Sequence, residues 1–431
     1  MAKNGIQRNL FTSLMEFSAS PLAKRYEILF SQLDLSAIKL FNTGVGATGY
    51  SRHALIKALV YQRLENIPHI AALCRHLRDH PVVADLCGFD PNDIPDDTVF
   101  YKFLKYTPNS VFQRVHQELN KRLKEQGTLS ADTMAIDSKP IRANTKENNV
   151  KNPQRNTRDK NRKPTADPYA ALGFYCASNE YPNKKALHFF WGYRNHAVVD
   201  AKSGICLVEI TLPANEKDER VATKLLKKLK KLYKPKSGTI VIGDKAYDTK
   251  EIFSFIVQNL RGIPIIPENR RNKKQRATDK QGRPICHANI PMAYNGTFSD
   301  NNRTRAKFRC PILCSRKTRQ TYGNRCPIEH HMFTKGKRYG CTAYITVTED
   351  ERALTNRYSN TFRKLYTERQ VIEQYFARLQ AVGVETPLFF NDKSIANITT
   401  IAHIALSAVA AAAVELQKHH KIRSYRTFAS P

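Results

Sequence analysis

Apolar residues recur every three or four positions through SRHALIKALVYQRLE and IPHIAALCRHLRDHPVVADLCGF. That is the spacing of a helix with one buried face. DDTVFYKFLKY opens on acidic residues suited to a helix start. Residues 1–128 therefore read as a helical domain. Two of its short helices flank Asn66-Ile67-Pro68, which suits a helix-turn-helix, and a plain helical bundle fits at least as well.

The period then changes. TMAIDSKPI (133–141) is an apolar run closing on Asp137, the profile of a buried strand that ends there. NHAVVDAKSGICLVEITLP (195–213) reads as a hairpin turning at Ser203-Gly204. Helix EKDERVATKLLKKLKKLY, strand GTIVIGDKAYD ending in Asp244, helix TKEIFSFIVQNL and strand GIPIIPENR follow. This alternation predicts an α/β fold with a mixed sheet, flanking helices, and an active edge at the strand C-termini. Residues 273–344 break the rhythm with a Cys- and Arg-rich insertion expected to be rich in strands. The domain reading is a helical domain 1–128, an α/β core in two parts, 129–272 and 345–418, around the insertion 273–344, and a basic tail 419–431.

Two segments need weighing by composition. RANTKENNVKNPQRNTRDKNRKPTADP has almost no apolar side chains and reads as a basic loop. Its Arg142, Lys146, Lys151, Arg155, Arg158, Lys160, Arg162 and Lys163 suit a phosphate backbone, and a solvated linker is the even alternative. The stretch from Ile395 carries no formal charge until Glu415, enough to cross a bilayer by length alone. It is dominated by small residues and interrupted by Asn397, Thr399, Thr400, His403 and Ser407, so a helix buried against a sheet is the better reading.

Charge changes the picture further. Lys+Arg 70 against Asp+Glu 38 gives 70 − 38 = +32 over 431 residues. Such an excess points to a polyanionic partner, since each neutralised phosphate releases counterions. MAKNGIQRNLFTSLMEF lacks a continuous apolar core, so neither a secretory signal nor a membrane partner is expected. The nine cysteines, odd in number and unevenly spaced, suit a reducing cytoplasm better than a disulfide scaffold.

In this basic chain the placing of acids is informative. Asp137 and Asp244 each close an apolar strand, and each is soon followed by a lysine, Lys139 and Lys245. Carboxylates gathered at a sheet edge repel unless a cation or a proton neutralises them, and all-oxygen ligands select hard ions such as Mg2+ or Mn2+. YTERQVIEQYFARLQ (366–380) reads as one helix. At roughly 100° per residue, Tyr366, Arg369, Glu373 and Gln380 share a sector of about 60°, beside an apolar stripe of Leu365, Ile372, Phe376 and Leu379. Singly, each acid has a plain structural reading: Asp137 in a turn, Asp244 as a helix cap, Glu373 paired with Arg369. Together they make a candidate three-carboxylate site.

These residues resemble the DDE transposases of bacterial insertion sequences, whose catalytic core is RNase H-like. One branch carries Y-x2-R-x3-E-x6-K around its glutamate; Tyr366, Arg369 and Glu373 match in register, and Gln380 stands where that pattern has lysine. AIDSKPI, GDKAYD, FWGYRNHAVVDAKSG (190–204) and TLPANEKDE (211–219), with Asn215 and Asp218, also look like the family's core, and the likeness covers most of residues 50–415. The resemblance implies metal-dependent cleavage and strand transfer of double-stranded DNA, at element ends and target, with two divalent ions held by Asp137, Asp244 and Glu373. It also implies a homodimer in the DNA complex. Tyr366, Arg369, Lys139, Lys245, Arg142 and Arg378 are the candidate DNA contacts, with Arg378 or Lys364 compensating for Gln380. An RNase H-like nuclease and a transposase-derived protein that only binds DNA are the alternatives.

Three further features are weighed. His196 reads as a buried, hydrogen-bonded histidine more readily than a catalytic one, and Asn195 lies beside it. Trp191, the only tryptophan, reads as core before it reads as a stacking platform for a base. Cys310, Cys314, Cys326 and Cys341, with His330 or His331 nearby, offer a zinc site of irregular spacing, against reduced cysteines in a DNA-binding insertion.

Overall fold

The computed structural model describes residues 20–41, 48–145, 163–176, 187–269, 279, 283–300, 303–334, 340–346, 352, 355, 357 and 359–427. Lys146, Lys151, Arg155, Arg158, Lys160 and Arg162 of the basic segment lie outside them. The chain divides into two compact units, Met1–Tyr233 with Gln370–Pro431, and Lys234–Arg369.

The first unit opens with six helices: α1 (Pro21–Ser31), α2 (Arg52–Leu64), α3 (Ile70–Asp79), α4 (Pro81–Cys87), α5 (Asp97–Tyr106) and α6 (Asn109–Glu125). Their starts are written in side chains: Ser20, Ser51 and His69 each accept a backbone N–H from the first turn. A sheet follows, built from β1 (Thr133–Arg142), β2 (Ala171–Cys176), β3 (Leu187–Asp200) and β4 (Cys206–Pro213). β1 pairs antiparallel with one edge of β3; the other edge takes β2 along its first half and β4 along its second. β3 begins well before the expected Asn195, because the register with β2 runs from Leu187 to Gly192. The β3–β4 turn falls where the sequence places it. Gly204 adopts φ +70°, and a Cβ there would meet Arg423 Nε at 2.7 Å, so glycine serves both the turn and the contact. Helix α7 (Asp218–Tyr233) packs on β3 and β4.

The second unit contains a parallel pair, β5 (Ile240–Gly243) and β6 (Ile263–Ile265), joined through α8 (Lys250–Ser254) and a wide turn at Phe255–Asn259. The insertion forms an antiparallel sheet of β7 (Ala293–Asp300), β8 (Arg303–Arg309) and β9 (Thr342–Thr346), and also three short helices, α9 (Pro311–Cys314), α10 (Arg316–Tyr322) and α11 (His331–Thr334). Helix α12 (Asn360–Thr367) follows.

The chain returns to the first unit with α13 (Gln370–Ala381) and α14 (Asp392–Glu415). α14 is the core helix, in contact with α1, α2, α5 and α6 as well as β3 and β4. It is long and apolar enough to cross a membrane, yet 94% of its most apolar window is buried within the protein. Three of its polar residues are paired: Asn397 takes an N–H bond from Asn109 at 3.0 Å, Thr400 donates to Glu209 at 2.7 Å, and His403 meets Asn195 at 3.1 Å. Such groups are costly to bury unpaired, and their mutual satisfaction explains why this helix reads as a core element.

Candidate active site

The continuous helix expected over 366–380 is two helices. Glu368 and Arg369 donate their backbone N–H groups three residues back, to Leu365 and Tyr366, closing a tight turn between α12 and α13. Angular reckoning from Tyr366 to Glu373 therefore does not carry across. Tyr366 stacks on Phe362 within α12, centroids 6.1 Å apart, and both Tyr366 and Arg369 are half-buried.

Within α13, Val371, Ile372, Tyr375, Phe376 and Leu379 are buried and hold the helix, while Glu373, Gln374 and Gln380 are exposed. The far end is locked by Arg63. Its buried guanidinium donates to the Gly383 carbonyl at 3.2 Å, and burial lowers its pKa to about 10.

β1 does not end at Asp137. Its pairing with β3 continues from Met134 to Arg142, so Asp137 is a half-buried mid-strand residue opposite Ala197. Its Oδ1 accepts the Ser138 N–H at 2.8 Å. Side chains alternate along a strand, so Asp137 and Lys139 share one face and Ser138 takes the other.

One contact ties α13 to β1, and a second ties β1 to the chain just beyond the helix. Lys139 Nζ donates to Gln380 Oε1 at 2.9 Å, and the Arg142 N–H donates to the Glu385 carbonyl at 2.8 Å. Asp137 shares its strand face with Lys139, and Glu373, seven residues before Gln380, shares its helix face with that residue.

The opposite face of β1 carries a polar cluster. Ser138 Oγ donates to Asp218 at 3.2 Å, and Arg194 Nη1 reaches both Asp218 oxygens at 3.3 and 3.1 Å. His196 is buried with Nδ1 at 3.5 Å from Asp218, but among the described residues neither ring nitrogen finds a hydrogen-bond partner, contrary to the expectation of a bonded histidine. Burial lowers its pKa to about 4 against the opposing pull of Asp218. This cluster ties β1, β3 and α7 together beneath the acids. Trp191 is buried, as a core residue would be, and Asn195 is bonded to Glu209 and Thr211 at 2.8 and 3.0 Å.

In the second unit, Asp244 follows β5 and caps a single 3-10 turn, Lys245–Tyr247, accepting the Ala246 N–H at 2.7 Å. Lys245 is exposed on that turn. Among the remaining candidate cations, Arg142 is exposed and donates to the Tyr175 hydroxyl at 2.7 Å, beside a cleft of ≈ 760 Å³ bordered by Asn144, Leu388 and Phe390. Arg378 is turned inward: it donates to the Gly204 carbonyl and lies over the Tyr375 ring, 5.2 Å from the centroid. Lys139, not Arg378, supplies the positive charge beside Gln380, a pairing that sequence spacing had no means to show.

The cysteines are all free among the described residues. Cys310 and Cys326 are buried, Cys341 is partly buried, and Cys314 is exposed. Cys286, which the sequence reading leaves out, packs against the clusters that hold Cys310 and Cys341.

Comparison with known families agrees with this picture. Residues 129–386, more than half of the chain, match the model described as Transposase DDE domain, and residues 17–106 match a second, Transposase domain (DUF772). The chain belongs to the DDE-domain transposases, enzymes acting on DNA, and its mixed α/β core is RNase H-like. A cryo-EM structure of a piggyBac transposase synaptic complex with hairpin DNA is similar at a TM-score of 0.39 and 10% identity, covering 95% of this chain and 78% of that one. No curated protein matches.

Proposed function

We propose that this transposase binds the inverted-repeat ends of an insertion sequence, cleaves there, and joins the freed 3′ ends to target DNA. The observation that supports the reading is the Lys139–Gln380 contact, which joins the strand face bearing Asp137 to the helix face bearing Glu373. Asp244, capped at the end of β5, is the third acid. The donor set is oxygen only, which fits Mg2+ or Mn2+. Two such ions held by Asp137, Asp244 and Glu373 would activate a water and offset charge on the attacking and leaving oxygens of an in-line displacement.

The protein's own part is to hold and orient. The backbone N–H groups of Ser138 and Ala246 each fix one oxygen of their aspartates, and Arg63 pins the end of the helix that presents Glu373. Lys139, oriented by Gln380, holds a phosphate near the scissile bond, in the place of the lysine absent at position 380. Arg142, Lys245, Tyr366 and Arg369 provide further contacts to the DNA backbone. The helices before β1 bind the element ends, and two chains act together on a pair of ends at the nucleoid.

Incubation with Mg2+, DNA carrying the repeats that flank the gene, and a target plasmid tests the proposal. Joined products are expected, and Glu373→Gln abolishes them while leaving DNA binding intact. Cleavage without joining makes the protein a nuclease; gel retardation with neither makes it a binding protein.

A further inference from the structure

The insertion brings four cysteines together from distant parts of the sequence. Cys286 begins a reverse turn in which the Asn289 N–H donates to the Cys286 carbonyl at 2.9 Å, with Asn289 at φ +59°. Cys326 begins a second turn of the same form, the Glu329 N–H donating to its carbonyl at 3.0 Å, with Glu329 at φ +46°. Cys310 precedes α9. Cys341 follows Gly340, whose φ is +69° and where a Cβ would stand 2.4 Å from Cys310 Cβ and 3.1 Å from its sulfur. Glycine at 340 is what lets the chain leading to Cys341 pass directly against Cys310.

Packing closes the group. Cys286 lies against both small apolar clusters of the insertion, one shared with Cys341 and the other built around Cys310. Cys286, Cys310 and Cys326 are all close enough to Cys341 for their charges to act on it. His330 Nδ1 sits 3.7 Å from the Cys341 sulfur, and its ring stacks on His287 at 4.7 Å.

We propose that Cys286, Cys310, Cys326 and Cys341 form a structural zinc site that staples the insertion, with Cys314 outside it. Four thiolates in a loop-rich segment suit a tetrahedral, closed Zn2+ site, with Zn–S distances of about 2.3 Å. Among the described residues no three His, Cys, Asp or Glu side chains already meet in coordination geometry, so the sulfurs draw in as the ion binds. Binding displaces the thiol protons, and the charge of the ion outweighs the repulsion between neighbouring thiolates. The need for a staple is physical. The two clusters hold only Met292, Ala306, Phe308 and Ala343 in one and Ile290, Cys310 and Ile312 in the other as buried members. That is too little apolar surface to order the connecting loops unaided. The acids assigned to catalysis take no part.

Metal analysis of the full-length protein, purified without chelators and dialysed against trace zinc, tests the site. One zinc per chain is expected, retained in Cys314→Ser and Glu373→Gln, and lost in Cys286→Ser. If Cys286→Ser fails to fold, Co2+ exchanged into the wild-type protein gives the second reading: intense sulfur-to-cobalt charge-transfer absorption, abolished by a mercurial, with release of the metal. Absence of stoichiometric zinc in the wild type, retention of it in folded Cys286→Ser, or loss of it in Cys314→Ser overturns the proposal. Failure of strand transfer with zinc still bound would count against the carboxylate site alone.

Discussion

The two units of this chain are held together by different physics. The first is organised around α14, where Ile395, Ile401, Ile404 and Ala405 are fully buried and Asn397, Thr400 and His403 between them are bonded to Asn109, Glu209 and Asn195. The insertion in the second has two small apolar clusters, and Tyr294, Phe298 and Tyr344 stand exposed on its sheet. Their titratable groups differ in the same way. His116, His196 and His403 are buried in the first unit, whereas His287, His330 and His331 lie at or near the surface of the second. One unit is stabilised by a dry core, the other by a framework of turns that calls for an external cross-link.

The largest effects test whether this contrast stops at the chemistry. Asp137→Asn and Glu373→Gln in the first unit, and Asp244→Asn in the second, are each expected to reduce strand transfer by more than about 100-fold, since even residues that only support metal ligands cost 10–100-fold. All three variants should unfold at the wild-type temperature, as no core contact is lost. A variant at Asp244 that joins DNA normally would remove it from the site and confine the chemistry to the first unit.

Acid should separate the units by stability. The pKa of His196 is lowered to about 4, chiefly by burial beside Asp218 and Arg194. Those of His116 and His403 are lowered to about 3; the two rings face each other, with Glu209 and Lys228 also close to His116. In each case the folded value lies below the unfolded value of about 6.5. The stability is present above pH 6.5 and is lost as pH falls toward the folded values, because the unfolded chain takes up protons that the native one refuses. The cost approaches about 1.4 kcal/mol per histidine per pH unit below 6.5. Hydrogen exchange between pH 7 and 5 should therefore show α6 and α14 losing protection before the β7–β9 sheet. The reverse order would contradict this account of the first unit.

What the sequence disclosed follows the same division. Elements whose partners lie nearby in sequence were legible, the helices before β1 and the β3–β4 hairpin; α14 was legible as buried from its small residues alone, although its partners are distant. Ser138-Lys139-Pro140 does not look like strand, and its extended form comes from pairing with β3, more than fifty residues away. The break at Glu368-Arg369 is invisible because no glycine or proline marks it. Asp137 was expected at a strand end and lies mid-strand, Asp244 does follow its strand, and neither the backbone N–H groups that fix them nor the inward turn of Arg378 was legible. Cys286 was missed because it lies far from the dense run of cysteines, and only the fold returns it to them.

Core truncation compares the units at smaller scale. Ile401→Ala, at a fully buried position of α14, should cost about 2–4 kcal/mol in urea unfolding. Tyr344→Ala on β9, 44% exposed, should cost far less, within about 0.5–1 kcal/mol. Equal costs would mean that the β7–β9 sheet hides an apolar contact.

The smallest effect concerns two lysines that follow the two aspartates. Lys139 is held in place by Gln380, so little side-chain entropy remains to be lost when it meets a phosphate. Lys245 sits exposed on a one-turn 3-10 segment and has more to lose. Each substitution by alanine should reduce the salt slope of DNA binding by about one. Lys139→Ala should weaken affinity more, by about 10-fold against about 3-fold for Lys245→Ala, if one ordered side chain is worth about 0.5–1.5 kcal/mol. Gln380→Ala isolates the cause. Loss of the orienting amide leaves the charge of Lys139 in place, so the salt slope should stay at the wild-type value while affinity falls part of the way toward that of Lys139→Ala. A change in slope with Gln380→Ala would show that Gln380 itself meets the DNA, and the advantage of Lys139 would then need another origin.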